Sequence, residues 1–168
     1  SYDITVAVAP TKSMDRMEWM VEKLTEIGIN RIVPLRCEHS ERKEIKTERL
    51  EKVAIAAMKQ SLKAVLPRID EITPISDFLA QQLDGQKFIA YCDDIYHRLE
   101  LACRYTPLGS ATILIGPEGD FSPKEITAAV ESGFLPITLG PNRLRTETAA
   151  IAAVQTCHIL SLAAQCDR

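Results

Sequence analysis

Two segments in the carboxyl-terminal third concentrate the residues able to do chemistry. The first is Ile115-Gly116-Pro117-Glu118-Gly119-Asp120-Phe121, in which the glycines let backbone amides approach a ligand and Pro117 stiffens the turn between them. The second is Leu139-Gly140-Pro141-Asn142-Arg143-Leu144-Arg145-Thr146-Glu147-Thr148-Ala149, where a glycine follows one predicted strand and a polar cluster opens a predicted helix. Ligands in open parallel sheets sit beyond the carboxyl ends of the strands, where both segments should lie. Neither segment matches GxGxxG or GxxxxGK[ST], so the sequence gives no support to a dinucleotide or nucleoside-triphosphate fold. His39, His97 and His158 lack metal-ligand spacing and the five cysteines form no CxxC pair, so no metal site is expected.

The elements that must position these segments alternate along the chain. Residues 4 to 9 (ITVAVA) read as a buried strand closed by Pro10. A helix follows, with Ser13 as its cap, Met17, Val21 and Leu24 on one face, and Gly28 at its carboxyl end. A strand at 31 to 35 contains Pro34, which predicts an edge or a strand end. Thr47 is expected to cap a long helix whose apolar residues Leu50, Val53, Ala54, Ala57, Met58 and Leu62 recur near every 3.6 residues, ending before Pro67. Ser76 is expected to cap a short helix, and residues 87 to 92 (KFIAYC) form a compact strand. Residues 93 to 110 carry no clear pattern. The β-branched run ATILI at 111 to 115 has the character of a strand buried on both faces. Ser122, Pro123 and Glu125 then form a helix-start signature, and that helix should end at Gly133. The strand LPITLG and an alanine-rich helix from Thr146 to Ala163 complete the pattern. Such alternation predicts a single α/β domain, its sheet mostly parallel and covered by helices on both faces.

Composition agrees with one globular domain: 168 residues, 46% hydrophobic and 26% charged, are enough to form a core without disulfides or metal. The widely spaced, odd-numbered cysteines read as reduced thiols. Apolar stretches are expected to fall short of the roughly 18 residues of a membrane span, and no basic-then-apolar leader opens the chain, which together predict a cytoplasmic protein. The chain begins Ser-Tyr-Asp without a methionine, which suggests a processed tag or an excised fragment. A net charge of -3 does not by itself suggest a nucleic-acid partner. Residues 36 to 68, however, hold nine basic and five acidic side chains, a pattern that suits either a basic surface or a solvated helix face laced with Glu-Lys pairs.

The two segments, IGPEGDF and LGPNRLRTETAA, closely resemble the paired carboxyl-terminal motifs of the SPOUT superfamily, and specifically the ribosomal small-subunit uridine N3-methyltransferase family. Residues 12 to 28 (KSMDRMEWMVEKLTEIG) resemble that family's first motif, and Ala56-Ala57-Met58-Lys59-Gln60-Ser61 its glutamine-containing helix, so the resemblance covers essentially the whole chain. It implies a carboxyl-terminal trefoil knot, a homodimer, and bent S-adenosylmethionine cradled by the two segments with the loop after Cys92. It implies 16S ribosomal RNA within the small subunit as substrate. It also implies an amino-terminal RNA-binding β-barrel domain, absent from this chain. Asp120 stands where the family usually has glycine, and Lys59 where it has an acidic residue.

On this resemblance, Leu114, Ile115, Gly116, Pro117, Glu118 and Gly119 of the first segment are cofactor-binding, as are Leu139, Gly140, Leu144, Arg145, Thr146, Thr148 and Ala149 of the second. Arg16, Lys23, Glu26 and Gln60 are implied to face the RNA or the dimer partner, solvation of a helix surface being their ordinary role. Methyl transfer to uridine N3 requires alignment of donor and acceptor and stabilisation of the deprotonated ring. Arg145 is the candidate for that electrostatic task, since a guanidinium grips an oxygen with forked donors, but it could instead pair with Glu147 or Glu118. Glu147 fits a base, a cofactor-orienting group, or an acid stabilised by the helix dipole. Glu118 fits either binding or turn formation, and Thr146 and Thr148 either caps or ligands. Two other classes fit parts of the pattern: a non-catalytic RNA-binding or scaffold protein of the same fold, and a phosphate-binding α/β hydrolase using Gly116 to Gly119 as an anion cradle.

Overall fold

The computed structural model describes residues 1–166. Its elements run β1 (Ile4–Val8), α1 (Met14–Ile27), β2 (Arg31–Arg36), α2 (Thr47–Gln60), β3 (Arg68–Ile69), β4 (Thr73–Pro74), α3 (Ile75–Leu79), β5 (Gln86–Ala90), β6 (Leu99–Glu100), α4 (Leu101–Arg104), β7 (Ala111–Ile115), α5 (Pro123–Glu131), β8 (Leu135–Thr138) and α6 (Thr146–Cys166). The strands form one sheet in the order β3-β2-β1-β7-β5-β8-β6, with β4 against the far end of β2. Every pairing is parallel. A parallel sheet needs both faces covered, and β7, at its centre, is buried at all five residues.

Strand alternation sends neighbouring side chains to opposite faces. Val6, Val8, Ile113 and Ile115 pack with Met17, Met20 and Leu24 of α1, Leu50 and Ala54 of α2, and Ala150, Ala153 and Val154 of α6. Ala7, Val33, Leu114 and Ile89 face the other way, against Phe78 of α3 and Ile126 and Ala129 of α5. The helix boundaries follow local chemistry. Ser13 accepts from the Arg16 amide, and Gly28 ends α1 at φ 101°, a conformation costly for residues with a Cβ. Ser122 and Glu125 complete a reciprocal capping box at α5, with Pro123 at its start.

Four expectations need correction. Thr47 does not cap α2: it is the first helical residue, and its hydroxyl donates to Glu71 at 2.9 Å, while Lys46 occupies the cap position. Ser76 likewise lies inside α3, which starts from Pro74. Pro34 lies within β2 rather than at its end. The Asn30 and Ile32 carbonyls accept from Arg68 and Asp70, so by alternation the Pro34 nitrogen faces the break between β3 and β4, where a missing donor is harmless. Finally, the 21-residue α6 is long and apolar enough to cross a membrane. In this fold it packs on α1, β1, α4 and β7, with Glu147 and Ser161 buried along it. The unpatterned stretch 93 to 110 holds β6 and α4, each too short for periodicity to reveal.

Burial pushes the thiols of Cys37 and Cys157 up to about 12, so neither is a nucleophile. His158 of α6 is set against the end of α1. Its Nδ1 lies 2.9 Å from the Tyr2 hydroxyl, and its Nε2 is buried with no hydrogen-bond partner among the described residues. Burial, with the nearby Lys63 charge, lowers its pKa below 6.5, partly opposed by the Gly28 backbone. A histidine held neutral in the fold takes up its proton more readily when unfolded. This group's stabilising contribution is therefore complete above pH 6.5 and is lost as pH falls from there toward the depressed folded value. Denaturant titrations across this range should show stability declining with acidification by at most about 1.4 kcal/mol per pH unit from this residue. The His158→Gln variant should lack that component.

Candidate active site

At the carboxyl ends of β7, β5 and β8, three adjacent strands, the chain leaves a hollow of about 650 Å³. This lies within the roughly 300–1,000 Å³ typical of small-molecule and cofactor pockets. Its floor and walls come from Ile115 and Gly116 after β7, Ala90 to Cys92 after β5, and Ile137 to Arg145 after β8. Thr146 and Ala149 of α6, with Arg98 and Glu100, complete it.

The hollow exists because separate loops are tied together. The Thr146 hydroxyl donates to the Gly116 carbonyl at 2.9 Å in a buried bond, joining the start of α6 to the end of β7. Gly116 favours glycine, because a Cβ there would sit 3.1 Å from the Phe121 ring and amide and Phe121 would have to shift by a few tenths of an ångström. The carboxylate of Glu100 accepts from the Gly140 amide at 3.0 Å, linking β6 to the turn after β8. Gly140 makes that turn at φ 91°. Glu118 accepts from the Lys12 amide at 3.0 Å, fastening the loop after β1. Arg42 donates to the carbonyls of Thr11 and Lys12 from the loop after β2. Glu125 serves twice, in its capping box and as acceptor for the Glu38 amide at 3.0 Å. Behind the first glycine segment, the His39 ring Nδ1 lies 3.1 Å from both the Gly119 and Asp120 carbonyls; two acceptors require that this nitrogen carry the proton.

Of the residues expected at a cofactor site, Ile115, Gly116, Pro117, Glu118, Leu139, Gly140, Leu144, Arg145, Thr146 and Ala149 line the hollow. Four of the expected site residues lie outside it. Leu114 points into the core beneath α5, Gly119 packs against His39, and Thr148 faces solvent on α6. Glu147 is buried in the first turn of α6, 3.8 Å from Arg16 Nε of α1. Arg145 pairs with neither carboxylate offered to it: Glu118 is engaged by Lys12 and Glu147 by Arg16. Among the described residues Arg145 makes no side-chain hydrogen bond or ion pair, and it is exposed at the mouth. Its backbone carbonyl receives the Ala149 amide at 2.8 Å, the first bond of α6. Thr146 spends its hydroxyl on Gly116 instead of on a cap.

Lys23 donates to Glu22 and Glu26 on α1, and these bonds hold its ammonium above the usual lysine range. Gln60 is exposed at the end of α2. Sequence reasoning missed Tyr91, Arg98, Glu100, Asn142 and Arg143 as lining residues, and saw in Asp120 only a departure from a pattern. Arg98 donates to the Tyr91 carbonyl and lies over the Tyr91 ring, 5.5 Å from its centroid, a contact between loop residues that no periodicity announces. Removing one partner of a buried hydrogen bond costs about 1–3 kcal/mol, because the orphaned group loses water and partner alike. Thr146→Val, which keeps the side chain's shape, should therefore lower the unfolding free energy by about that amount in denaturant titration.

A model of the RNA methyltransferase domain family matches residues 1–158. The chain is 33% identical over 149 residues to the ribosomal RNA small subunit methyltransferase E of Buchnera aphidicola, covering 83% of this chain and 57% of that protein. It is 31% identical over 156 residues to the Aquifex aeolicus protein of the same name, covering 90% and 66%. Among solved structures, a probable rRNA-methyltransferase from Porphyromonas gingivalis shares 48% identity at a TM-score of 0.91, with 99% of this chain and 70% of that one covered. The small subunit methyltransferase E of Neisseria gonorrhoeae, solved bound to S-adenosyl methionine, shares 30% identity at a TM-score of 0.85, covering 95% and 66%. The chain thus spans about three fifths of the length of the curated relatives it matches.

Proposed function

Because the chain belongs to the RNA methyltransferase domain family, alongside the ribosomal small-subunit methyltransferases E, we propose that it is the catalytic domain of an S-adenosylmethionine-dependent ribosomal RNA methyltransferase acting on N3 of a uridine in 16S RNA. The observation that carries this reading is the hollow built from the two glycine-bearing segments and clasped by Thr146 and Gly116. Its composition suits the methyl donor. Ile115, Ile137, Leu139 and Leu144 offer apolar walls for a flat base, while Glu100, Glu118 and Asp120 together with Arg98, Arg143 and Arg145 give the lining charges of both signs, as suits a ligand with both a cationic centre and a carboxylate. When bound, the donor supplies an activated methyl group on a sulfonium.

The chain's own residues orient and stabilise. Arg145, with no competing partner and at the mouth, is placed to hold an acceptor oxygen as the uridine ring loses its N3 proton. Glu147 does not line the hollow; buried beside Arg16, it acts by fixing that guanidinium at the site's border. The trefoil knot belongs to the same reading. In the sheet β8 lies beyond β5, yet the following α6 packs on β1 and β7, so the chain must return across the end of β5 to reach them. A homodimer completes it: Ile159 and Leu162, one turn apart on α6, are 54% and 59% exposed, an apolar strip suited to a second copy. Function as an rRNA enzyme places the protein in the cytoplasm, with an RNA-binding domain supplying substrate contacts from the rest of a longer chain.

Calorimetry should give one S-adenosylmethionine bound per chain; absence of binding would favour a scaffold of the same fold. In the full-length protein, Arg145→Ala should retain donor binding and slow labelled methyl transfer to unmethylated small subunits by about 100-fold or more. Unchanged transfer would reject its role. Leu162→Arg should convert a dimer to a monomer in light scattering.

A further inference from the structure

Asp120 is the only residue with a side chain on the rim of the hollow that has a positive φ, 64°, among the described residues. Glycine would adopt this conformation with less strain. The carboxylate uses the position fully. Oδ1 accepts from the Phe121 amide at 2.8 Å, and Oδ2 from the Cys92 amide at 2.9 Å. The second bond joins the turn after β7 to the loop after β5, its paired neighbour in the sheet, and both segments line the hollow. The turn cannot swing away from behind, since the Asp120 amide donates to the Pro117 carbonyl at 2.9 Å and its own carbonyl faces the His39 ring.

Farther along the loop after β5, Tyr96 packs against the core and its hydroxyl donates to Thr127 of α5 at 3.4 Å. Nearer the opening, Cys92, Asp93, Asp94 and Ile95 are exposed, and Arg98 ties the loop only to Tyr91 and Asp94 within itself. A hydrogen bond to an ionised acceptor is among the stronger available, so Asp120 is the principal tie across this side of the mouth.

We propose that Asp120 is a positioning residue for the methyl donor: acting through the Cys92 amide, it holds the loop after β5 against the glycine turn after β7 and so sets the width of the cofactor opening. This role rests on the donor-binding reading given above. Asp120→Gly is a direct test, because glycine keeps the turn while deleting the tie. It should bind S-adenosylmethionine about tenfold more weakly in calorimetry, the size expected for losing a charge-assisted bond that orders a loop. Any loss in turnover of the full-length protein should fall on KM for the donor. Hydrogen exchange at the Cys92 amide, slow in the unsubstituted protein, should quicken.

Asp120→Asn keeps the shape and one acceptor oxygen, and should recover part of the lost affinity. It also serves if the glycine variant fails to fold, in which case it should bind at least about threefold more weakly than the unsubstituted protein; equal binding would overturn the role. Glycine-variant affinity within twofold of the parent, or unaltered exchange at Cys92, would overturn it as well. If the unsubstituted protein binds no donor, the donor reading falls and this role with it, whereas binding that Asp120→Gly leaves intact removes this role alone.

Discussion

A hydroxyl of α6 donating to a carbonyl at the end of β7 decides whether this protein has a hollow at all. Thr146 and Gly116 meet in a buried bond, and both sides of it are constrained. A side chain at Gly116 would crowd Phe121, and Thr146 begins the helix that packs on α1, β1 and β7. A buried carbonyl left without a donor is costly, so the start of α6 has one favourable seat, directly over the end of the central strand. The turn from Leu139 to Arg145 must then span from β8 to that seat, and in doing so it forms the far wall.

The remaining loops are held by a shared device. Loops at the carboxyl ends of parallel strands leave backbone amides without sheet partners, and this chain meets several of them with carboxylates. Glu118 takes Lys12, Glu100 takes Gly140, Asp120 takes Cys92, and Glu125 takes Glu38. Each tie joins elements distant in sequence, and three of the four carboxylates line the hollow, beside three arginines. The guanidiniums are distributed differently. Arg42 and Arg98 are bound to backbone carbonyls and Arg16 to a buried glutamate, whereas Arg143 and Arg145, both lining the hollow, have no side-chain partner among the described residues.

Most of the fold was legible in the sequence because its elements are long enough to show a period. The runs ITVAV and ATILI read as strands, Gly28 as a helix end and Ser122-Pro123-Glu125 as a helix start, and each is realised. The two glycine segments were legible as turns at strand ends, and the structure brings both to one hollow. The details that failed depend on tertiary partners. Thr47 looked like a cap, but Glu71 offered its hydroxyl a better bond. Glu147 looked like a site residue, but its place on the first turn of α6 turns it toward α1. Arg98 lies in the loop just before the two-residue β6 and Glu100 within that strand, where no repeat can register, and only their contacts with Tyr91 and Gly140 disclose them.

The register of the central strands bears on how such a chain is made. β1 pairs with β2 a few turns of chain later, but its other edge pairs residue for residue with β7, Ile4 with Ala111 and Val8 with Ile115. On a translating ribosome, β1 must wait through about a hundred residues before its second neighbour exists. Its open, largely apolar edge is meanwhile a template for pairing with other chains. Early docking of α1 and α2 over Val6 and Val8 shields the face but leaves the edge bare, so a nascent chain of this protein is most vulnerable to aggregation just before residues 111 to 115 are synthesised.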